Sequence, residues 1–173
     1  MKNLNKILYV TFISLSLFLS SCSDNVVKNA SGNWQVKASE LSHANPQYIK
    51  SDLAKFNPII ESVDMQAHEL AKQLEITATN LEKFEQVVVK FGNLQDEMQQ
   101  KMMQLNLKSS EVQNIRRQMI NQIFFSKKLH QLTLSPGFDI SSPDENYKKH
   151  FKQSEDMREK ARAELDDLNK QYS

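Results

Sequence analysis

The chain has 173 residues, with 3 Gly, 4 Pro, a single Cys and a formal charge of +1, which suits one domain and is too short for two comfortable ones. Few helix breakers, and a second half rich in Gln, Lys, Glu, Leu and Asn, favour helix. The apolar 39% falls in register, which argues against disorder, and the near-neutral charge gives no general attraction to nucleic acid or anionic lipid.

The N-terminus differs from everything after it. Lys2 and Lys6 form a positive n-region, and Ile7 to Leu19 is an apolar run of 13 residues interrupted by Thr11, Ser14 and Ser16. A bilayer span takes about 20 residues, so the run has the length of a cleavable export signal. It ends in Leu19-Ser20-Ser21-Cys22, which resembles the lipobox of bacterial lipoproteins: an aliphatic residue, two small ones, then the Cys. As the sole Cys, Cys22 has no partner for a disulfide. The resemblance implies cleavage before Cys22, a diacylglycerol thioether on its sulfur and a further acyl chain, such as palmitate, on its amine. Two or more chains anchor stably where one is marginal. By the sorting rule of that class, Ser23 after the Cys, with Asp24 one position late, implies the outer membrane, and the domain is expected to face the periplasm. Loss of residues 1–21 removes Lys2, Lys6 and no acid, leaving 20 basic and 21 acidic residues.

Residues 22–45 read as the lipidated Cys and a flexible polar tether. As a coil, the 23 residues after the Cys reach about 26 Å. Trp34 and Val36 are isolated apolar residues within it; Trp34 is expected to dock on the folded part or on lipid headgroups, the other reading being a short peptide that a partner recognises.

Residues 46–173 read as an all-α, elongated, antiparallel helical bundle. Asn45-Pro46 opens a short helix through Tyr48, Leu53 and Phe56. Asn57-Pro58 reads as the stronger start, an N-cap residue followed by Pro where a missing N–H costs nothing. From there a seven-residue repeat runs through Ile60, Val63, Ala67, Leu70, Leu74, Thr77, Leu81, Phe84, Val88, Phe91, Gln95, Met98, Met102 and Leu105, twelve of fourteen being apolar. Such a seam serves a long helix against a partner helix, as in a coiled coil. It keeps phase across Thr77-Ala78-Thr79-Asn80 and Gly92-Asn93, so one continuous helix is expected, giving three long helices in all. A break near 77–80, where Thr79 and Glu82 make a capping box, converts the three into four. Ser110 with Gln113 opens the next helix, to about Leu132, and Ser135-Pro136-Gly137 stops it. Ser142-Pro143-Asp144-Glu145 starts the last, with Tyr147, Phe151, Ala161, Leu165, Leu168 and Tyr172 on one face. Residues 58–106 are acidic and 112–138 hold only basic charges, which favours pairing of those two antiparallel segments. A seam this long closes within one chain or between two copies.

No catalytic constellation emerges. Asp64 and His68 stand one helical turn apart without a third metal ligand at matching spacing, and His43, His130 and His150 are scattered without a Ser or acid that suggests a triad. No metal, cofactor or nucleic acid is expected. Around Val112, Ile115, Met119 and Ile123, further stripes at Ile120, Phe124, Phe125, Leu129 and Leu132 make this helix apolar over more than half its circumference. A central helix with two neighbours accounts for that. The alternative is a partner-binding patch of Phe124, Phe125 and Leu129 rimmed by Lys127 and Lys128. Leu105-Asn106-Leu107-Lys108-Ser109-Ser110-Glu111-Val112-Gln113 resembles the Leu-Thr-x-x-Gln-type helix start of small periplasmic stress chaperones with all-helical cradles, with Lys108 or Ser109 where Thr belongs and Gln113 a residue late. That likeness implies a client-binding module. The expectation is a non-enzymatic, lipid-anchored interaction protein or accessory subunit of an envelope complex, with a periplasmic chaperone-like module as the alternative.

Overall fold

The computed structural model describes residues 32–77, 80–133, 137–139 and 142–172, and leaves out the side chains of Leu81, Glu85, His130, Gln131 and Thr133. The export signal and Cys22 lie outside the described residues. Among the described residues, four long helices follow a 3-10 turn at Ala38–Glu40: α1 (Pro46–Thr77), α2 (Leu81–Gln104), α3 (Ser110–Thr133) and α4 (Glu145–Tyr172).

The Asn-Pro start operates at residues 45–46. Asn45 Oδ1 accepts from the N–H groups of Gln47 and Tyr48 at 3.1 and 3.2 Å, and Pro46 is the first helical residue. The expected start at Asn57-Pro58 is overturned, because α1 runs straight through Pro58. Ile49, Leu53, Phe56 and Ile60 form one buried stripe at spacings of three and four, so the seam begins eleven residues before Ile60. Pro58 sits on the exposed side of the helix, where water can take up the Ala54 carbonyl that it leaves without an N–H.

Helix continuity through residues 77–80 is also overturned. α1 ends at Thr77, whose Oγ1 donates to the Gln73 carbonyl at 2.7 Å, and Asn80 caps α2 by accepting from Lys83 N–H at 3.1 Å. Asn80, rather than Thr79, supplies the cap. The two halves of the seam therefore fold onto each other as a hairpin, with Leu74 of α1 packed among Val87, Val88 and Phe91 of α2. α3 and α4 make a second hairpin, whose start is capped by Asp144 accepting from Tyr147 N–H at 2.7 Å.

The hairpins share one core at one end and keep separate cores at the other. Ile49, Phe56, Met102, Ile115, Ile120, Ala161 and Leu165, from all four helices, belong to one cluster. Beyond it, the Leu74 cluster belongs to α1 and α2 alone, and Leu129 with Tyr147 forms a cluster of α3, α4 and Phe138 between them. Hence α3 packs chiefly on α4 and not, as the charge pattern suggested, along the acidic 58–106 segment. The result is an up-down-up-down bundle that forks.

Candidate functional site

Two features are built from residues of several helices: a buried polar joint at the shared end and a cleft at the fork.

The joint surrounds the turn between α2 and α3. Arg116 is fully buried, and every one of its five N–H donors meets an acceptor. Nε bonds Gln113 Oε1 at 2.7 Å, Nη1 bonds the carbonyls of Met102 and Leu105 at 3.2 and 2.6 Å, and Nη2 bonds Asn33 Oδ1 at 2.9 Å and Gln113 Oε1. Burial pushes its pKa down to about 10, against the pull of Asp52, so the group remains a cation at neutral pH. No carboxylate bonds it directly; the carbonyls at the negative end of α2 stabilise the charge. Asp52 does the converse at the start of α3. Its Oδ2 accepts from Lys108 N–H, Ser109 N–H and Ser109 Oγ–H, each at 2.7 Å. The Ser110 N–H, which a Ser110–Gln113 capping box would use, goes instead to the Ser42 carbonyl at 2.9 Å, and Gln113 Nε2 donates to the carbonyls of Asn33, Trp34 and Val36 at 3.3, 3.1 and 2.6 Å.

These bonds hold the N-terminal segment. Residues 32–45, assigned to the tether from sequence, are fastened to the α2–α3 turn. Asn33 exchanges two hydrogen bonds with Leu107, at 2.7 and 3.0 Å, and Trp34 packs against the shared core. Ser42 forms an isolated parallel β-bridge with Ser109, and Ala44 N–H bonds Glu111 Oε1 at 2.7 Å. Gly32 lies so close to the end of α2 that a Cβ there would overlap the backbone of Met103, Gln104 and Leu105. Only glycine fits such an approach.

The cleft, of about 220 Å³, lies where the hairpins part. Its apolar floor includes Phe91, Leu94 and Met98 of α2, Met119 and Ile123 of α3, and Phe151 of α4. Asp64 of α1 and Arg162 of α4 close one side as a bidentate pair, one bond being 2.7 Å; the bonds from Arg162 to Asp64 push its pKa further above the ordinary arginine value. Asp64 is thus the partner of an arginine and not of His68. On α3 and α4, Gln122 donates to Ser126 Oγ at 2.8 Å, and the Ser126 and Ser154 hydroxyls lie 3.3 Å apart. Gln95 Oε1, also at the cleft, is buried without a hydrogen-bond partner.

The five residues of the sequence-derived patch do not share a surface. Leu129 is buried in the α3–α4 core, where Phe125 packs beside it and stacks on His150 at 5.6 Å. Phe124 packs against the shared core. Lys127 is buried and its Nζ bonds Asp96 Oδ1 at 2.5 Å and Gln99 Oε1 at 2.8 Å, joining α3 to α2; Lys128 alone is exposed. Apolar spacing could not separate a helix touched on two sides from a helix with a free side. Arg116, Asp52 and the cleft were missed, because charged residues on a heptad background read as solvated.

Among the described residues no group of three or more His, Cys, Asp or Glu side chains is placed to hold a metal, and no helix is long and apolar enough to cross a membrane. The family described as "Uncharacterised lipoprotein PM1805" matches residues 50–173, well over half of the chain. The chain belongs to that lipoprotein family. No curated protein and no solved structure matches it. Family and lipobox-like signal agree from separate parts of the chain: the match begins after the signal ends, and both point to a bacterial lipoprotein anchored in the cell envelope.

Proposed function

We propose that this lipoprotein is a non-enzymatic adaptor or accessory subunit of an envelope complex, anchored through Cys22 in the outer membrane and facing the periplasm. The observation that carries the reading is the cleft: an apolar floor contributed by α2, α3 and α4 beside an ion-paired side. Its ionisable groups pair with each other, Asp64 with Arg162 and Glu155 with Arg158 at 2.5 Å, which is the arrangement of a rigid docking surface rather than of a group poised to transfer a proton. The outer-membrane placement rests on Ser23 following Cys22. A client-binding chaperone is the weaker reading, since Phe124 and Phe125 are engaged in the protein's own packing.

The test is mild crosslinking in cells of the natively lipidated protein, followed by affinity purification. One dominant envelope partner, lost on substitution of the half-buried cleft residues Val63→Gln and Met98→Gln with helicity unchanged, is the expected result. A broad set of unrelated exported proteins would replace the adaptor reading with the chaperone one.

A further inference from the structure

We propose that the lipoprotein stands on the bilayer by its shared-core end, with the α2–α3 turn next to the membrane and the fork pointing away from it. The inference rests on Cys22 being the anchor, and on two lengths.

The first is the reach of the chain between lipid and fold. Gly32 already lies against Met103, Gln104 and Leu105, and Asn33, Trp34, Val36, Ser42 and Ala44 are each hydrogen-bonded to the turn or to the start of α3. The connection between anchor and fold thus runs from Cys22 to Gly32, not to the start of α1. Fully extended, ten such steps span at most about 36 Å, and as a coil they average about 17 Å. The second length is that of the arms. From Met103, beside Gly32, to the far end of α2 at Leu81 the helix rises about 33 Å at roughly 1.5 Å per residue. To bring the tips of the hairpins to the bilayer, the connection would have to span almost the whole of its maximal reach. With the shared end down a fraction of that reach suffices.

The cleft floor follows from the same arithmetic. Phe91 and Met98 lie roughly 8 to 18 Å tipward of Met103 along α2, so the fork opens on the far side of the shared core from the bilayer. Ile76, 80% exposed one residue before the end of α1, likewise stands in water rather than among lipid tails. A partner of the cleft therefore approaches through the aqueous compartment and not within the anchoring membrane.

The arrangement is measurable with the full-length, natively lipidated protein in liposomes that carry an energy acceptor on their headgroups. Donor dyes are placed one at a time at exposed residues: Asn106→Cys at the α2–α3 turn, Glu82→Cys at the tip of the first hairpin and Asn146→Cys at that of the second. The expected result is a turn probe nearer to the lipid surface than the Glu82 probe by about 35 Å, and nearer than the Asn146 probe as well. A tip probe as near as the turn probe would overturn the proposal, showing a bundle that lies flat or upside down. Cys22→Ser tests the anchor separately: liposome binding that survives this change would refute the anchor and not the geometry. Gly32→Val should dislodge the segment from α2, shift Trp34 emission to the red and narrow the difference between turn and tip probes, at unchanged helicity. A red shift with the full difference retained would show that the fastening does not orient the bundle.

Discussion

Replacing Arg116 by Met keeps most of the side-chain volume and removes all five donors. Hydrogen bonds to a charged group contribute about 1.5–3 kcal/mol each, but the guanidinium loses several kcal/mol of hydration on burial, so the gross sum is no guide to the net. What decides is the state left behind. Gln113 Oε1 loses both of its Arg116 donors, while the Met102 carbonyl keeps the Leu105 N–H, the Leu105 carbonyl keeps the Asn33 N–H and Asn33 Oδ1 keeps the Leu107 N–H. Leaving one buried acceptor unsatisfied costs about 1–3 kcal/mol. For a domain of this size that is a fall of about 4–12 °C in Tm, at about 4 °C per kcal/mol. Urea and thermal unfolding followed by circular dichroism measure it. Trp34, the only Trp in the chain, reports the joint itself, because its carbonyl and its ring both depend on the Arg116–Gln113 pair holding position. In Arg116→Met its emission is expected to shift to the red while helicity is still intact. A loss below about 1 kcal/mol with unchanged emission would refute the reasoning, since it would mean that desolvation cancels the bonds.

Tyr147 is buried with its hydroxyl unpartnered, and burial pushes its pKa up; its ring contacts Phe138 and Phe151 at 5.0 and 6.4 Å. Tyr147→Phe keeps those contacts and is expected to be neutral or to stabilise by about 1 kcal/mol in urea unfolding; a loss of that size would disprove the orphaned hydroxyl. Glu111 titrates below its ordinary 4.5: burial raises it, but bonds from the Ala44 and its own N–H and from Ser110, with the charge of His43, outweigh that. A carboxyl depressed in the folded state stabilises above its unfolded value, and that stabilisation is lost as pH falls through the folded one. Between pH 7 and pH 3 the protein should therefore lose more stability than Glu111→Gln does; equal losses would show that Glu111 is not part of the fastening.

The helical class, the stop after α3 and the apolar stripe of the α1–α2 hairpin were legible because each follows from local spacing and breaker residues. The turn at 77–80 was not, because Leu74, Thr77, Leu81 and Phe84 keep seam spacing whether the helix continues or doubles back; the phase is the same and only the partner changes. Pro58 misled for a related reason. Asn-Pro is a start signal because a missing N–H costs nothing in the first turn, but at exposed Pro58 water can take up the stray carbonyl, and burial of Ile49, Leu53 and Phe56 on the opposite face outweighed the signal. The cleft was illegible in principle, since Asp64 and Arg162 stand 98 positions apart and neither belongs to a motif.

The joint explains why the segment next to the anchor is fixed by polar rather than apolar contacts. Trp34 alone could slide over the apolar shared core, because dispersion and burial are not directional. A planar guanidinium whose five donors must each find an acceptor accepts one register of the chain. Arg116 selects Asn33 on one side and the last carbonyls of α2 on the other, while Asp52 holds the first N–H groups of the following turn. The charges sit where the helix dipoles favour them, a cation at the end of α2 and an anion at the start of α3, so Leu107 and Ser109 can be buried in a turn with no glycine between residues 105 and 109. On the proposed Cys22 anchor, a lipid ten residues upstream of Gly32 would pull on that register and not on a loosely packed tail, which is the condition for an anchor to set the orientation of the whole bundle.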